Sequence, residues 1–505
     1  MISQILSDAR KYEETMEHTI AGEPRPAFHL SARVGWMNDP NGFSFYQGKY
    51  HLFYQYHPYD SHWGPMHWGH AISKDLLCWK HLPIALAPDF PYDKDGCFSG
   101  SAIELDDHYH LLMYTGVVKD SHSQNSKREI QTQCIAIGNG INYEKYPGNP
   151  VLTETSLPQG SSQFDFRDPK LWRDDKGVFH CVVGNCTQEK QDGQILVFKS
   201  EDCIHWSFEK ILAVSNSKFG SMWECPDYFE LDGKQVILVS PPDIIPQNLE
   251  YTNGHQTICF IGQENIDTGE WTEESNQSVD YGIDFYASQT ILTPDGRRIM
   301  IAWMQNWYTS KLHSKDTPWF GQMTLPRELS IKNGRLYQKP VRELEQYWDN
   351  KIEYHEIIVN GVLSLEGIKG RILDMELNIK PKDKEIIYRK FEIQFAKDNR
   401  YHTSVTFRPY ESEVTIDRTF SGSCIAAAHQ RRCQVNCQEG RLKLRLILDR
   451  FSAEVFINDG EYVMTITIQT DLIADSISFF ADETIIMDIV KYNIKEPALF
   501  HFEQA

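Results

Sequence analysis

No stretch of about 18 consecutive apolar residues occurs in this 505-residue sequence, so no segment of it reads as a membrane-spanning helix. The N-terminal run MISQILSDARKYEETMEHTIAGEPRP also lacks the unbroken apolar core of a secretory leader, which predicts a cytoplasmic protein without a membrane partner. Positive charge is scarce: 50 Lys plus Arg stand against 70 Asp plus Glu, and the basic residues nowhere gather into a stripe. A nucleic-acid partner is therefore not expected, because phosphate neutralisation needs clustered cations. The 11 cysteines form no framework of close pairs, which fits reduced thiols. Cys433 and Cys437 have no second pair to complete a zinc set, and His62, His67 and His70 of HWGPMHWGH have no acid among them, so no metal is expected. A glycine loop that could cradle phosphate is also missing, and no cofactor is expected.

What is present is an ordinary globular composition, 41% hydrophobic and 24% charged, in a chain long enough for two domains. Ile2, Ile5, Leu6 and Ala9 fall at helical spacing and predict a short N-terminal helical extension over residues 1–22. Five later segments share one shape: GFSFYQGKYHLFYQ, SAIELDDHYHLLMYTG, KLWRDDKGVFHCVVGN, DYFELDGKQVILVSP and QTILTPDGRRIMIAWM. Each reads as a strand, a polar turn and a second apolar strand. Their turns lie roughly 56 to 69 residues apart, which predicts radially stacked four-stranded blades over residues 23–338. PVRELEQYWDNK predicts a helical linker over residues 339–352. Beyond it Leu442, Leu444, Leu446 and Leu448 alternate on one face before a turn at Asn458-Asp459-Gly460. With similar strands around residues 388 to 408 this predicts a β-sandwich over residues 353–505, so the expected class is all-β.

The repeat also places chemistry. Nine positions before the turn residues Gly48, His108, Gly177, Gly233 and Gly296 stand Asp39, Ser99, Asp168, Glu224 and Ala287. Each of the three acids lies directly before a proline or one residue away from it. One acid before proline is usually a turn former, but three in one register are expected to converge at one end of the propeller axis. Three carboxylates among aromatic residues point to glycosidic cleavage, which needs one protonated group and one ionised group. A third carboxylate can stabilise the oxocarbenium-like transition state. Trp63, Trp68, Phe98, Trp223, Tyr286 and Trp303 are candidates to meet the apolar faces of a sugar, and Asn38 and Gln55 to meet its hydroxyls.

The motifs WMNDPNG, FSGSA, FRDPK, ECPDYF and DFYASQT, with GQMTLPREL at residues 321 to 329, resemble the signature set of glycoside hydrolase family 32, the invertase and fructanase family. LILDRFSAEVFINDG resembles that family's C-terminal β-sandwich. The resemblance implies a five-bladed β-propeller followed by a β-sandwich and a retaining, double-displacement mechanism. It implies Asp39 as nucleophile, Glu224 as general acid and base, Asp168 as transition-state stabiliser, and a fructose pocket lined by Asn38, Gln55, Trp63, Phe98, Ser99 and Arg167. The expected substrate is a small β-fructoside: sucrose, sucrose 6-phosphate or a short fructooligosaccharide, hydrolysed by a monomer or homodimer. A transfructosylase or exo-fructanase of the same family, an inverting propeller hydrolase of the arabinan-cleaving kind and a catalytically silent sugar-binding protein are the alternatives. Two electrostatic expectations accompany this reading: Trp223 and Cys225 raise the Glu224 pKa, and Arg167 keeps Asp168 ionised.

Overall fold

The computed structural model describes residues 2–106, 109–120, 128–252, 254–265, 268–310, 317–383, 385–422 and 428–497. Five antiparallel sheets follow one another along the chain, with first strands Gly35–Tyr46, Gly96–Asp106, Ser161–Arg173, Glu224–Leu231 and Tyr286–Leu292. Four of the sheets have four strands, and the first gains a fifth from the short strand Trp319–Phe320, which runs parallel to Gly35–Trp36. Each first strand packs on the next, and the fifth packs on the first, so the ring closes as a five-bladed propeller. The tight turns after the first strands are made by Gly48, Gly177, Gly233 and Gly296, all at positive φ, where only glycine carries no steric penalty. His108, the expected turn residue of the second blade, lies outside the described residues.

The inner strands share an irregularity that the sequence register anticipated only by position. In every blade the pairing of the first strand with the second slips at a matching place, between Met37 and Pro40, Phe98 and Gly100, Arg167 and Lys170, Glu224 and Asp227, and Tyr286 and Gln289. Such β-bulges release residues from the ladder and re-aim their side chains. Asp168, Cys225 and Ala287 take left-handed φ values of 64°, 47° and 56° at three of these slips. The positions counted back from the turns therefore lie at the bulges around the propeller axis.

Two helical expectations change in detail. The N-terminal helix runs Gln4–Thr19, capped by the Ser3 side chain. Its buried stripe is Leu6, Ala9 and Glu13, while Ile2 and Ile5 face outward. Glu13 is held there by the Arg33 guanidinium at 2.9 Å. The linker is a 3-10 helix only over Arg342–Tyr347, and strand structure begins at Trp348, whose ring stacks on Tyr492 at 4.1 Å.

The C-terminal region is one continuous sheet folded into a sandwich. Its 19-residue last strand, Ser476–Ile494, pairs with Trp348–Leu363 on one side and with both Leu373–Pro381 and Phe391–Lys397 on the other. Leu442, Leu444, Leu446 and Leu448 are all buried in a core shared with Phe391, Ile393, Phe395, Val405 and Phe407. Asn458 and Asp459 both have positive φ, as the tight hairpin turn requires.

A buried ionic network joins the sandwich to the propeller. His29 places Nδ1 2.8 Å from Asp449 and Nε2 3.0 Å from Glu454, and Glu454 also accepts from Arg327 and from the Leu325 N–H. Both ring nitrogens face carboxylates, so both carry protons. Burial opposes the charge, but the hydrogen bonds to Asp449 and Glu454 outweigh it and push the imidazole up to about 9. A histidine raised in the folded state stabilises fully below its unfolded pKa of about 6.5, and the contribution is lost as pH rises toward about 9. Thermal melts of the wild type should show a loss of about 3 kcal/mol over that window. A His29→Gln variant should be less stable at pH 6.5 and flatter with pH; a wild-type profile level from pH 6.5 to 9.5 would sink this assignment.

Candidate active site

The bulged strands surround a cavity of about 250 Å³ on the axis, lined by Asn38, Asp39, Gln55, Trp63, Phe98, Ser99, Arg167, Asp168 and Glu224, with Pro242, His255 and Trp307. Asn38 and Gln55 are buried and anchored, Asn38 accepting from the Trp36 indole N–H at 2.7 Å and Gln55 donating to the Cys97 carbonyl at 3.0 Å. Trp63 stands on the rim, 47% exposed, edge-on to Phe98 at 6.2 Å. An exposed indole beside a polar cavity is the arrangement expected of a sugar platform.

The three acids are linked by short contacts. Ser99 Oγ donates to Asp39 Oδ2 at 3.1 Å, and Asp39 Oδ1 is buried without a hydrogen-bond partner. Cys225 Sγ lies 3.8 Å from Asp39, while the Cys225 N–H donates to Asp168 Oδ2 at 2.8 Å. The Asp168 N–H in turn donates to Thr115 Oγ1 at 3.0 Å. Burial, and next the charge of Asp168, push the Asp39 carboxyl up to about 7. Burial also raises Asp168, to about 6, against the pull of Arg167. Carboxyls that crowd one another in a dry site titrate as a set, well above the usual range.

Arg167 does not chiefly serve Asp168, as expected from its place in the chain. Its Nη2 donates to Glu224 Oε1 at 2.9 Å, and Nη1 reaches Asp165 at 3.3 Å. The left-handed turn at Asp168 directs that carboxylate to the Cys225 amide instead. Trp223 does not shape the surroundings of Glu224 either: its indole donates to the Phe219 carbonyl inside the core between the third and fourth blades. On its other oxygen Glu224 meets the Tyr286 hydroxyl at 2.6 Å.

Four expected sugar contacts are therefore relocated, Trp223 being the first of them. Tyr286 is buried behind Glu224 and does not line the cavity; it acts on the carboxylate. Trp303 is fully buried beneath Trp36 and Trp307, at ring distances of 5.9 and 4.9 Å, and is a floor for those rings. Trp68 is likewise core, its N–H bonded to the Phe98 carbonyl. The three histidines of HWGPMHWGH do not converge: His62 bonds Asp60, His67 the Pro65 carbonyl and His70 the His51 ring. An acid does accompany His62, contrary to the sequence reading. Pro242, His255 and Trp307 were missed because they sit on connections after second strands, outside any repeat register; the Pro-Pro pair at 241–242 was the one available signal.

Comparison with known proteins agrees with this geometry. Residues 29–340 match the family model of the glycosyl hydrolases family 32 N-terminal domain, and residues 343–496 match the family 32 C-terminal model. A sucrose-6-phosphate hydrolase of Escherichia coli is 37% identical over 457 residues, covering 87% of this chain and 88% of its own. A raffinose invertase of Escherichia coli is 36% identical over 462 residues, covering 90% and 92%. The structure of a Bombyx mori family 32 beta-fructofuranosidase superposes with a TM-score of 0.82 at 33% identity, covering 98% of this chain and all of that one, 100%.

Proposed function

The chain belongs to glycosyl hydrolase family 32, and from that premise we propose that it is a retaining β-fructofuranosidase that removes the terminal fructosyl unit from sucrose, sucrose 6-phosphate or a short fructoside. The observation that carries the reading is the junction at Cys225, which brings Asp39, Asp168 and Glu224 from three different blades into one cavity. Asp39, half-buried and held by Ser99, attacks the anomeric carbon as the bond to the leaving oxygen breaks. Glu224 gives that oxygen its proton, then takes a proton from the water that releases fructose from Asp39. Asp168 remains ionised beside the sugar hydroxyls and stabilises the positive charge of the transition state.

The hydrogen inventory around Glu224 supports its role. Tyr286 has one hydroxyl hydrogen and two oxygens within reach, the Ser240 carbonyl at 2.5 Å and Glu224 Oε2 at 2.6 Å. A carbonyl only accepts. Tyr286 therefore shares its one hydrogen between Ser240 and Glu224, and with Arg167 on the other oxygen it holds the Glu224 carboxyl in a fixed orientation at the cavity. We assign catalysis to the propeller over residues 23–338 and a bracing role to the sandwich over residues 353–505, and expect a monomer or homodimer. The described cysteines are all free, which supports action in the reducing cytoplasm.

Measurement of kcat/KM on sucrose, sucrose 6-phosphate and 1-kestose tests the activity, and NMR of the first anomer released tests retention; no hydrolysis of any of the three overturns the proposal. A pH profile tests the electrostatics. Ionised Asp39 is required, so kcat/KM should fall as pH drops below about 7, the value to which burial and Asp168 push its carboxyl. Asp168→Asn removes one raising charge. It should lower kcat by about 100-fold and shift the acid limb to lower pH; an unmoved limb with normal turnover removes both roles from Asp168.

A further inference from the structure

Past the acids, the inner strands are tied together by buried charges that the chemistry above does not use. Lys170 and Asp227 are the first residues of the third and fourth blades to rejoin the ladder after the bulges at Asp168 and Cys225. Both are buried, and neither lines the cavity. Their side chains meet at 3.2 Å. Each also reaches one residue of the fifth blade: Lys170 Nζ donates to the Thr290 carbonyl at 2.6 Å, and the Thr290 N–H donates to Asp227 Oδ2 at 2.7 Å. Arg298 is a second cation near Asp227, its Nη1 3.4 Å from Thr290 Oγ1.

Holding the blades together does not require such a pair. Charges withdrawn from water lose about as much in solvation as they regain in attraction, and apolar residues of the same volume often stabilise a core as well or better. Asp227 Oδ1 is also buried without a hydrogen-bond partner, which costs further stability. What the pair supplies is direction. Hydrophobic burial is non-directional, whereas these contacts peg the inner strands of three blades to one another at fixed short distances. A bulge bends its strand where the ladder is broken, so the peg at its far end determines where Asp168 and Glu224 stand.

We propose that Lys170 and Asp227 are positioning residues: their ion pair, locked onto Thr290, sets the two bulges and thereby the places of Asp168 and Glu224 relative to Asp39. The inference rests on the β-fructofuranosidase reading above. Thermal melts of the full chain test it, together with steady-state kinetics on the best of sucrose, sucrose 6-phosphate and 1-kestose, normalised to folded protein. Lys170→Met alone leaves the Asp227 carboxylate without its ion-pair partner and should melt well below the wild type. Adding Asp227→Asn, which keeps an acceptor for the Thr290 N–H, removes both charges and should recover most of the lost melting temperature. The double variant should nevertheless turn over about 100-fold slower, the scale of a misplacement of about 1 Å, with KM within about threefold of wild type. Asp227→Asn alone should melt close to the wild type and show the same split between kcat and KM, at a loss of about tenfold. Wild-type kcat in either folded variant, or a loss carried by KM, overturns the positioning role. Failure of both variants to fold overturns it too, since the pair is then structural. A wild type inactive on all three substrates overturns the underlying reading instead.

Discussion

Asp39→Asn lowers kcat on sucrose by at least about 10⁴-fold, the scale seen when a covalent nucleophile is removed, and leaves no fructosyl adduct in mass spectra of acid-quenched reactions. The expectation follows from the lack of a substitute. Asp168 is tied to the Cys225 amide and set in a left-handed turn, so it does not swing into the place of Asp39. Ser99 lies 3.1 Å away but has no base of its own among the contacts it makes. The asparagine keeps the size of the side chain and its acceptor for Ser99. Turnover within tenfold of wild type, or a fructosyl adduct on another residue, would falsify the assignment.

The same variant has an expected effect on stability. Because burial and Asp168 raise the Asp39 carboxyl to about 7, its ionisation disfavours the folded state. A carboxyl raised on folding carries no penalty below its unfolded pKa of about 4, a growing one between there and about 7, and the full one above. Asp39→Asn should therefore melt above the wild type at pH 8 and level with it near pH 4, the trade of stability for activity expected at a dry nucleophile.

How far the sequence reaches is visible in which residues it placed. The hairpin repeat carried five blades and put Asp39, Ser99, Asp168 and Glu224 in one phase, because a propeller repeats its geometry as it repeats its turns. The same count did not show why they converge: a bulge in each first strand has no signature stronger than a nearby proline. Side-chain direction was less legible still. Arg167 is adjacent to Asp168 in the chain yet bonds Glu224, since the backbone sign at Asp168 turns the two side chains apart. Trp303 is as aromatic as Trp63, but one is floor and the other rim. His255 and Trp307 come from irregular connections, and His29 finds Asp449 across 420 residues, where no period exists to be read.

Glu224→Gln should reduce kcat on sucrose by about 10³ to 10⁴-fold while retaining the architecture of the site. The amide oxygen still accepts from Arg167, and the amide N–H₂ still meets the Tyr286 hydroxyl as that hydroxyl donates to Ser240. What is lost is the proton alone, which separates this variant from one that leaves the Arg167 guanidinium without its main partner. The loss should depend on the leaving group. A p-nitrophenyl fructoside departs without protonation, so its first step should recover most of its rate and expose slow release of the fructosyl enzyme. In Glu224→Ala the vacated space admits azide, which needs no base and should speed turnover of the activated substrate, releasing a fructosyl azide of retained configuration. Equal losses on sucrose and the activated substrate, with no response to azide, would place Glu224 in binding rather than in proton transfer, and the search for the acid would turn to the other carboxyls of the cavity.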